Sequence, residues 1–205
     1  MANFISISRI FITFISLYLL TTGTMKGFVA AAILVVIQFA LDGVDGYVAR
    51  KLNEESKFGS VLDIISDRIA ENAYWIVFAA FSWIPLTFPM IALTRTVIVD
   101  NLRSVAMENN CTAFGECSMQ KDPIGKFICC SKFMRIFYAT VKALGFVFII
   151  ISSIPMIDFG VATTLYLYGA IFVTIAIFLC VLRGLPVVLE SKQFFVKKEV
   201  VNEQV

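Results

Sequence analysis

Long apolar stretches alternate with short polar or Gly/Pro-containing segments along almost the whole of this 205-residue chain. Because a helix needs about 20 predominantly apolar residues to cross a bilayer, the pattern predicts an all-α integral membrane protein, a single domain over residues 1–205 with six transmembrane helices. The helices are expected at about residues 3–22, 26–50, 59–83, 86–108, 127–153 and 161–190. Residues 191–205 are polar and predict a frayed tail.

The composition agrees with a membrane protein. Hydrophobic residues make up 59% of the chain and charged residues 16%, a balance that excludes an ordinary water-soluble domain. The net charge is only +2, which gives no reason to expect nucleic-acid binding. Membrane lipid is therefore the expected surroundings, and the positions of the charges carry more information than their sum.

Lysine and arginine fall almost entirely at one end of the predicted helices. The opposite end receives only Lys26. By the positive-inside rule, both termini and the polar segments 51–58 and 109–126 are predicted to be cytoplasmic, in an inner or cytoplasmic membrane. The residues at the positive end are Arg9, Arg50, Lys51, Lys57, Arg103, Lys121, Lys126, Lys132, Arg135, Arg183, Lys192, Lys197 and Lys198.

Four aspartates lie at this cytoplasmic end, beside the apolar segments of the second and third helices. Asp42 and Asp45 are three residues apart and share one helix face, and Asp63 and Asp67, four residues apart, share another. The segment between the two helices is short, so we expect the two pairs to face each other at the membrane surface. The cytoplasmic face is thus predicted to carry one anionic site.

Such a site needs positive charge, because carboxylates in membrane helices are costly and repel one another. The chain has no histidine, and oxygen ligands alone favour Mg²⁺ or Mn²⁺. A carboxylate cluster that holds two such ions is suited to displacement at phosphorus. The alternative from another class is the ion site of a small transporter, but the acids lie at one face rather than at the midplane.

The spacing of these residues resembles a family signature. Residues 42–67 read D-x2-D-G-x2-A-R-x8-G-x3-D-x3-D, which is similar to the motif of the CDP-alcohol phosphotransferase family, and the start "NFISISRI" is similar to that of many members. The family implies transfer of a phosphoalcohol from a CDP-linked lipid, here CDP-diacylglycerol, to an acceptor hydroxyl, with CMP leaving. It also implies a homodimer.

The resemblance implies roles for the motif residues. Asp42, Asp45 and Asp63 would hold two divalent ions, and Asp67 would complete the metal shell and act as the catalytic base. The CDP-lipid site would be lined by Gly46, Ala49, Arg50 and Gly59. The two glycines allow a bulky ligand to approach the helix backbones, and the arginine suits a phosphate.

A second set of charges predicts where the acceptor binds. The fourth, fifth and sixth helices are expected to bring basic residues together near the metal site, as a phosphate pocket made by Arg103, Lys132, Arg135 and Arg183. Segments "LTRTVIVDNLRS" and "GKFICCSKFMR" are similar to those of the phosphatidylglycerophosphate synthase branch, which predicts glycerol 3-phosphate as acceptor. Inositol phosphate, inositol and serine remain alternatives. Arg95 lies deeper, and Glu71 is its expected partner.

Overall fold

The computed structural model describes the backbone of residues 2–51, 57–108 and 123–202, and the side chains of residues 6–41, 59, 61–106, 125, 127–129, 131 and 133–191. Every secondary-structure element in this part of the chain is a helix, which confirms the all-α prediction. The elements are α1 (Ala2–Thr21), α2 (Met25–Lys51), α3 (Lys57–Ala80), α4 (Thr87–Glu108), α5 (Pro123–Cys130), α6 (Lys132–Ser152) and α7 (Phe159–Asn202).

The third helix ends at Ala80, before the predicted boundary at residue 83. Ser82 has a positive φ of 59°. The amide of Trp83 donates to the carbonyl of Phe78, and the amide of Ser82 donates to that of Ala79. This is the hydrogen-bond pattern of a Schellman cap, which stops a helix by turning the chain through the left-handed region. Such caps usually contain glycine, and Ser82 takes its place here, so the sequence did not predict that the helix ends at this point.

The predicted helix over residues 127–153 is two helices, α5 and α6, separated only by Ser131. Backbone hydrogen bonds continue across the junction, from the Ser131 amide to the Phe127 carbonyl and from the Arg135 amide to the Ser131 carbonyl. The described residues therefore contain seven helices rather than six. The extra helix results from an interruption at one residue, Ser131, and the pattern of apolar residues along the chain does not reveal so short a break.

The last helix is much longer than predicted. Its start is capped by Asp158, whose carboxylate accepts from the amides of Gly160 and Val161. It then continues through Pro186 to Asn202, so the expectation of a frayed tail over residues 191–205 is wrong as far as Asn202. Polar residues do not end a helix when each amide still finds its carbonyl one turn away.

Two compact units make up the chain, one from Met1–Pro89 and Thr140–Ile175, the other from Met90–Ala139 and Ala176–Val205. In the first, Tyr74, Trp75 and Phe78 pack around the Phe146 ring, with ring centroids 4.9 to 5.5 Å from it. In the second, a smaller core forms around Val99, Ala106, Cys129 and Val187. A single domain over residues 1–205 stays a prediction.

Close helix packing in the first unit depends on two glycines. A Cβ on Gly145 of α6 would lie 2.9 Å from the Val173 side chain and 3.1 Å from its backbone nitrogen. A Cβ on Gly169 of α7 would meet Ile149 of α6 at the same two distances. Small residues let helix backbones approach in this way in membrane proteins, so α6 and α7 pack with their backbones close together.

The helix surfaces have the character of a membrane protein. Two described segments, Phe133–Ser152 and Phe159–Ser191, are long and apolar enough to cross a bilayer. The first helix buries polar side chains and exposes apolar ones: Arg9 and Thr13 are 3% and 0% exposed, whereas Phe11 and Tyr18 are 64% and 69% exposed. This inside-out arrangement suits lipid surroundings. The full count of six crossings and their orientation stay predictions.

Candidate metal and phosphate site

Asp63 and Asp67 of α3 share a single buried arginine. Nη1 of Arg9 on α1 donates to Asp63 Oδ1 at 2.9 Å, and Nη2 donates to Asp67 Oδ1. Arg9 is 3% exposed, whereas the two carboxylate side chains are 42% and 43% exposed. The buried arginine thus holds both carboxylates in place, and each carboxylate keeps an exposed surface that a ligand can reach.

Local structure explains why these groups meet. The two aspartates are one helical turn apart and so lie on one face of α3. Arg9 belongs to a polar stripe on α1 made with Ser6, Thr13 and Ser16, all buried. A buried guanidinium needs an anionic partner, and its planar fork matches two carboxylate oxygens. The stripe on α1 and the acidic face of α3 are therefore complementary.

The available ligands fit a hard divalent cation. Asp63 and Asp67 offer oxygen ligands only, which Mg²⁺ and Mn²⁺ favour. Asp42 and Asp45 lie in helix α2, but their side chains are outside the described residues. Within the part of the chain that is described, no group of three His, Cys, Asp or Glu residues comes together. Of the four carboxylates in the predicted site, the structure therefore describes the pair Asp63 and Asp67.

The predicted CDP-lipid residues divide in the same way. Gly59 lies in α3, one turn before Asp63, and is half-buried. Gly46, Ala49 and Arg50 lie in helix α2, and the surroundings of their side chains are outside the described residues. Their assignment to the CDP-lipid stays a prediction.

A separate charged cluster lies deeper in the first unit. Lys142 Nζ of α6 lies 3.0 Å from Glu71 Oε2 of α3, and Arg68 Nη1 is 3.6 Å from the same oxygen. Both Glu71 and Lys142 are buried, and the Lys142 ammonium lies over the Phe39 ring. The expectation that Glu71 pairs with Arg95 is wrong, because Arg95 donates through Nε to the Cys180 carbonyl instead.

The second unit contains the predicted acceptor residues. Arg183 of α7 lies over the Tyr138 ring at 5.4 Å, and its charge is repelled by Arg95 and Arg135. Among the described residues, Arg183 Nε has no hydrogen-bond partner. Arg103 on α4 is half-buried, and the side chain of Lys132 lies outside the described residues. Positive charge is therefore concentrated around Arg183 in the second unit.

Comparison with known proteins identifies the family. The model of the CDP-alcohol phosphatidyltransferase family matches residues 1–198. The chain belongs to this family. This family member is 38% identical over 76 residues to the CDP-diacylglycerol–glycerol-3-phosphate 3-phosphatidyltransferase of Bacillus subtilis, covering 37% of this chain and 39% of that protein. It is 34% identical over 70 residues to the CDP-diacylglycerol–inositol 3-phosphatidyltransferase of Schizosaccharomyces pombe, covering 34% and 28%.

Other matches are longer but more distant. The enzyme of Mycoplasma pneumoniae with the same name as the Bacillus protein is 27% identical over 124 residues, 52% of this chain and 55% of that one. The family member thus aligns with about half or less of these relatives' lengths. Its fold resembles phosphatidylinositol phosphate synthase of Mycobacterium tuberculosis, solved with manganese and citrate (TM-score 0.53, 20% identity, covering 91% and 82%) and with CDP-DAG bound. At that identity the likeness establishes the fold alone.

Arg9 and Lys142 are the residues that sequence reasoning missed. Arg9 was assigned only to the cytoplasmic excess of positive charge and to the family-like start of the chain. Its i, i+4 and i, i+7 spacing to Thr13 and Ser16 was the available signal, because a polar stripe on an otherwise apolar membrane helix faces protein rather than lipid. Lys142 had no comparable local signal.

Proposed function

We propose that this protein is a CDP-diacylglycerol-dependent phosphatidyltransferase that transfers the phosphatidyl group to the hydroxyl of glycerol 3-phosphate and releases CMP. The observation that carries the proposal is the pair of half-exposed carboxylates, Asp63 and Asp67, anchored by buried Arg9. These aspartates are the last two positions of the eight-residue family motif. The family match over residues 1–198 supports the same chemistry.

The motif residues have distinct tasks in this reaction. Asp42, Asp45, Asp63 and Asp67 would hold two divalent ions, Mg²⁺ or Mn²⁺, and such ions would neutralise the diphosphate and stabilise CMP as the leaving group. Gly46, Ala49, Arg50 and Gly59 would line the CDP-lipid site.

Asp67 is proposed as the base. Its carboxylate takes the proton of the acceptor hydroxyl as that oxygen bonds to the phosphatidyl phosphorus and the bond from phosphorus to CMP breaks. Arg9 is proposed as a positioning residue, because it contacts Asp63 and Asp67 and would act by holding their carboxylates in one orientation. The rigid fork of a guanidinium is suited to that task.

Positive charge in the second unit favours a phosphorylated acceptor. Arg183 has a buried Nε without a partner in the described residues and is repelled by Arg135, so a phosphate there would accept a hydrogen bond from Arg183 and offset the repulsion. Arg103 and Lys132 are proposed members of the same pocket. Glycerol 3-phosphate is the first candidate, since the name of the Bacillus subtilis relative gives it as the acceptor. Inositol phosphate is the second, since its phosphate would need much the same positive pocket.

CMP release tests the proposal directly. Purified protein would receive CDP-diacylglycerol, Mg²⁺ and, in parallel, glycerol 3-phosphate, inositol 1-phosphate, myo-inositol or serine. We expect release with glycerol 3-phosphate, loss of release in Asp67→Asn, and unchanged release in the matched control Asp158→Asn, whose amide oxygen still caps α7. Release with inositol phosphate alone would replace the first candidate by the second. Release with none of the four would contradict the transferase assignment.

The proposed location follows from the charges along the sequence. We propose that both termini and the active site are cytoplasmic, in the cytoplasmic membrane, and that the protein is a homodimer as the family resemblance implies. A membrane-impermeant label on single cysteines placed at Lys26 and at Lys197 tests the orientation. Labelling of intact cells is expected at the first position only, and the reverse pattern would invert the topology.

A further inference from the structure

An open groove lies between α4 and α7 in the second unit. Its volume is about 370 Å³, within the roughly 300–1,000 Å³ of small-molecule sites. Apart from Thr94 and Arg95, the lining residues are apolar or glycine. Several of them are well exposed, with Met90 at 61% and Leu185 at 49%. The groove is thus an apolar surface with one positive charge.

Arg95 is held in this groove by its stem. Its Nε donates to the Cys180 carbonyl at 3.1 Å. Gly184 leaves the space that the stem occupies, because a Cβ there would lie 3.1 Å from Arg95 Cγ and 3.3 Å from Nε. A tethered guanidinium is not free to extend to water as an unrestrained arginine is. Its position beside the apolar walls is therefore built into α4 and α7.

The terminal amino groups of Arg95 have no hydrogen-bond or ion-pair partner among the described residues. A guanidinium has five N–H donors, and one without an anion is costly in lipid. Arg95 lies eight residues, about 12 Å, from the Thr87 end of α4, and helical side chains incline toward the N-terminus. The Arg95 side chain therefore points toward the Thr87 end of α4, where a lipid phosphate could meet it.

We propose that the α4/α7 groove binds a membrane phospholipid with an anionic headgroup. One acyl chain lies along the apolar walls, and the phosphate accepts charge-assisted hydrogen bonds from Arg95. Charge complementarity selects this occupant: a zwitterionic lipid brings its own cation next to the phosphate, whereas an anionic lipid leaves the guanidinium as the neutralising charge. None of the residues that line the groove is among those proposed to hold the metal ions, the CDP-lipid or the acceptor phosphate, and the proposal does not rest on the transferase activity.

Native mass spectrometry of delipidated protein in detergent tests this site, with phosphatidylglycerol and phosphatidylcholine as probes and with EDTA present. We expect wild type to prefer phosphatidylglycerol, because the choline cation of phosphatidylcholine already neutralises its own phosphate. Arg95→Gln should weaken phosphatidylglycerol binding by about tenfold or more, in line with the loss of one charge-assisted hydrogen bond, and Arg95→Lys should retain part of it. Lys26→Gln, which removes a positive charge elsewhere, should bind as wild type does.

A second pair of variants tests the groove itself. Val181→Phe fills the apolar wall, whereas Val97→Phe makes the same change at an exposed α4 position outside the groove. Loss of bound lipid in the first variant only is the expected result. Equal affinity for the two lipids, or equal losses in Arg95→Gln and Lys26→Gln, would overturn the proposal. So would a changed oligomeric state in Val181→Phe with lipid binding intact, because the groove would then be an interface between copies.

The lipid site and the transferase site are separable in the same assay. Asp67→Asn should bind phosphatidylglycerol as wild type does, since Asp67 lies in the other unit and outside the groove. An inactive protein that still shows Arg95-dependent lipid preference would leave the groove assignment intact and contradict the proposed function alone. Loss of the lipid preference in Asp67→Asn would show that the probe binds at the CDP-lipid site and would overturn the groove.

Discussion

Replacing Arg9 by methionine is the sharpest test of how the carboxylate site is built. The change removes two donors, one to Asp63 and one to Asp67, and keeps a long apolar side chain at a position that is 3% exposed. The acidic face of α3 then loses the cation that holds it. We expect both carboxylates to adopt several orientations and to bind divalent ions less well.

The size of the effect follows from the contacts. A hydrogen bond to a charged group contributes about 1.5–3 kcal/mol, and two would give twice that. The carboxylates are 42% and 43% exposed, however, so water screens the interaction and the lower, single-bond figure is appropriate. That loss corresponds to about a 10- to 150-fold lower kcat/KM. Arg9→Lys should be intermediate, because a single ammonium does not match two carboxylates as a fork does.

Two readouts separate a positioning role from general damage. The first is CMP release, in which Arg9→Met should lower kcat and raise the Mg²⁺ requirement while leaving the KM for the acceptor unchanged. The second is Mn²⁺ binding followed by electron paramagnetic resonance, which needs no turnover and should weaken in the variant. Lys26→Met, which removes an exposed positive charge, serves as control. Wild-type turnover together with wild-type Mn²⁺ affinity in Arg9→Met would refute the reasoning.

Three further predictions address other parts of the molecule. Asp67→Asn should abolish CMP release but keep most CDP-lipid binding, measured by direct titration; full activity would remove Asp67 as the base. Arg135→Ala combined with Arg183→Ala should raise the acceptor KM at least tenfold with little change for the CDP-lipid, and equal effects on both would contradict the phosphate pocket. Gly145→Ala should destabilise folding by about 1–3 kcal/mol, read from thermal unfolding in detergent, because its Cβ would overlap α7. Gly160→Ala, where the nearest contact is one carboxylate oxygen, is the control and should unfold close to wild type.

Local sequence patterns were sufficient to predict most of the helices, the shared face of Asp63 and Asp67, and the family. Apolar run length determines where helices form in a membrane, so the first four helices begin and end within three residues of prediction. Helical periodicity alone places Asp63 and Asp67 on one face, because that relation depends on four residues of backbone. The eight motif positions identified the family before any tertiary contact was known.

Tertiary structure decided which charges meet, because ion pairs in membrane helices join residues that are distant in sequence. Arg9 and Asp63 are 54 residues apart, and no local pattern links them. Glu71 was expected to pair with Arg95, but packing of α6 against α3 brings Lys142 to it, and Arg95 donates to a backbone carbonyl instead. The end of α3, just before Ser82, likewise depends on backbone hydrogen bonds rather than on residue type. Periodicity is a property of one helix, whereas partnership between charges is a property of how helices pack.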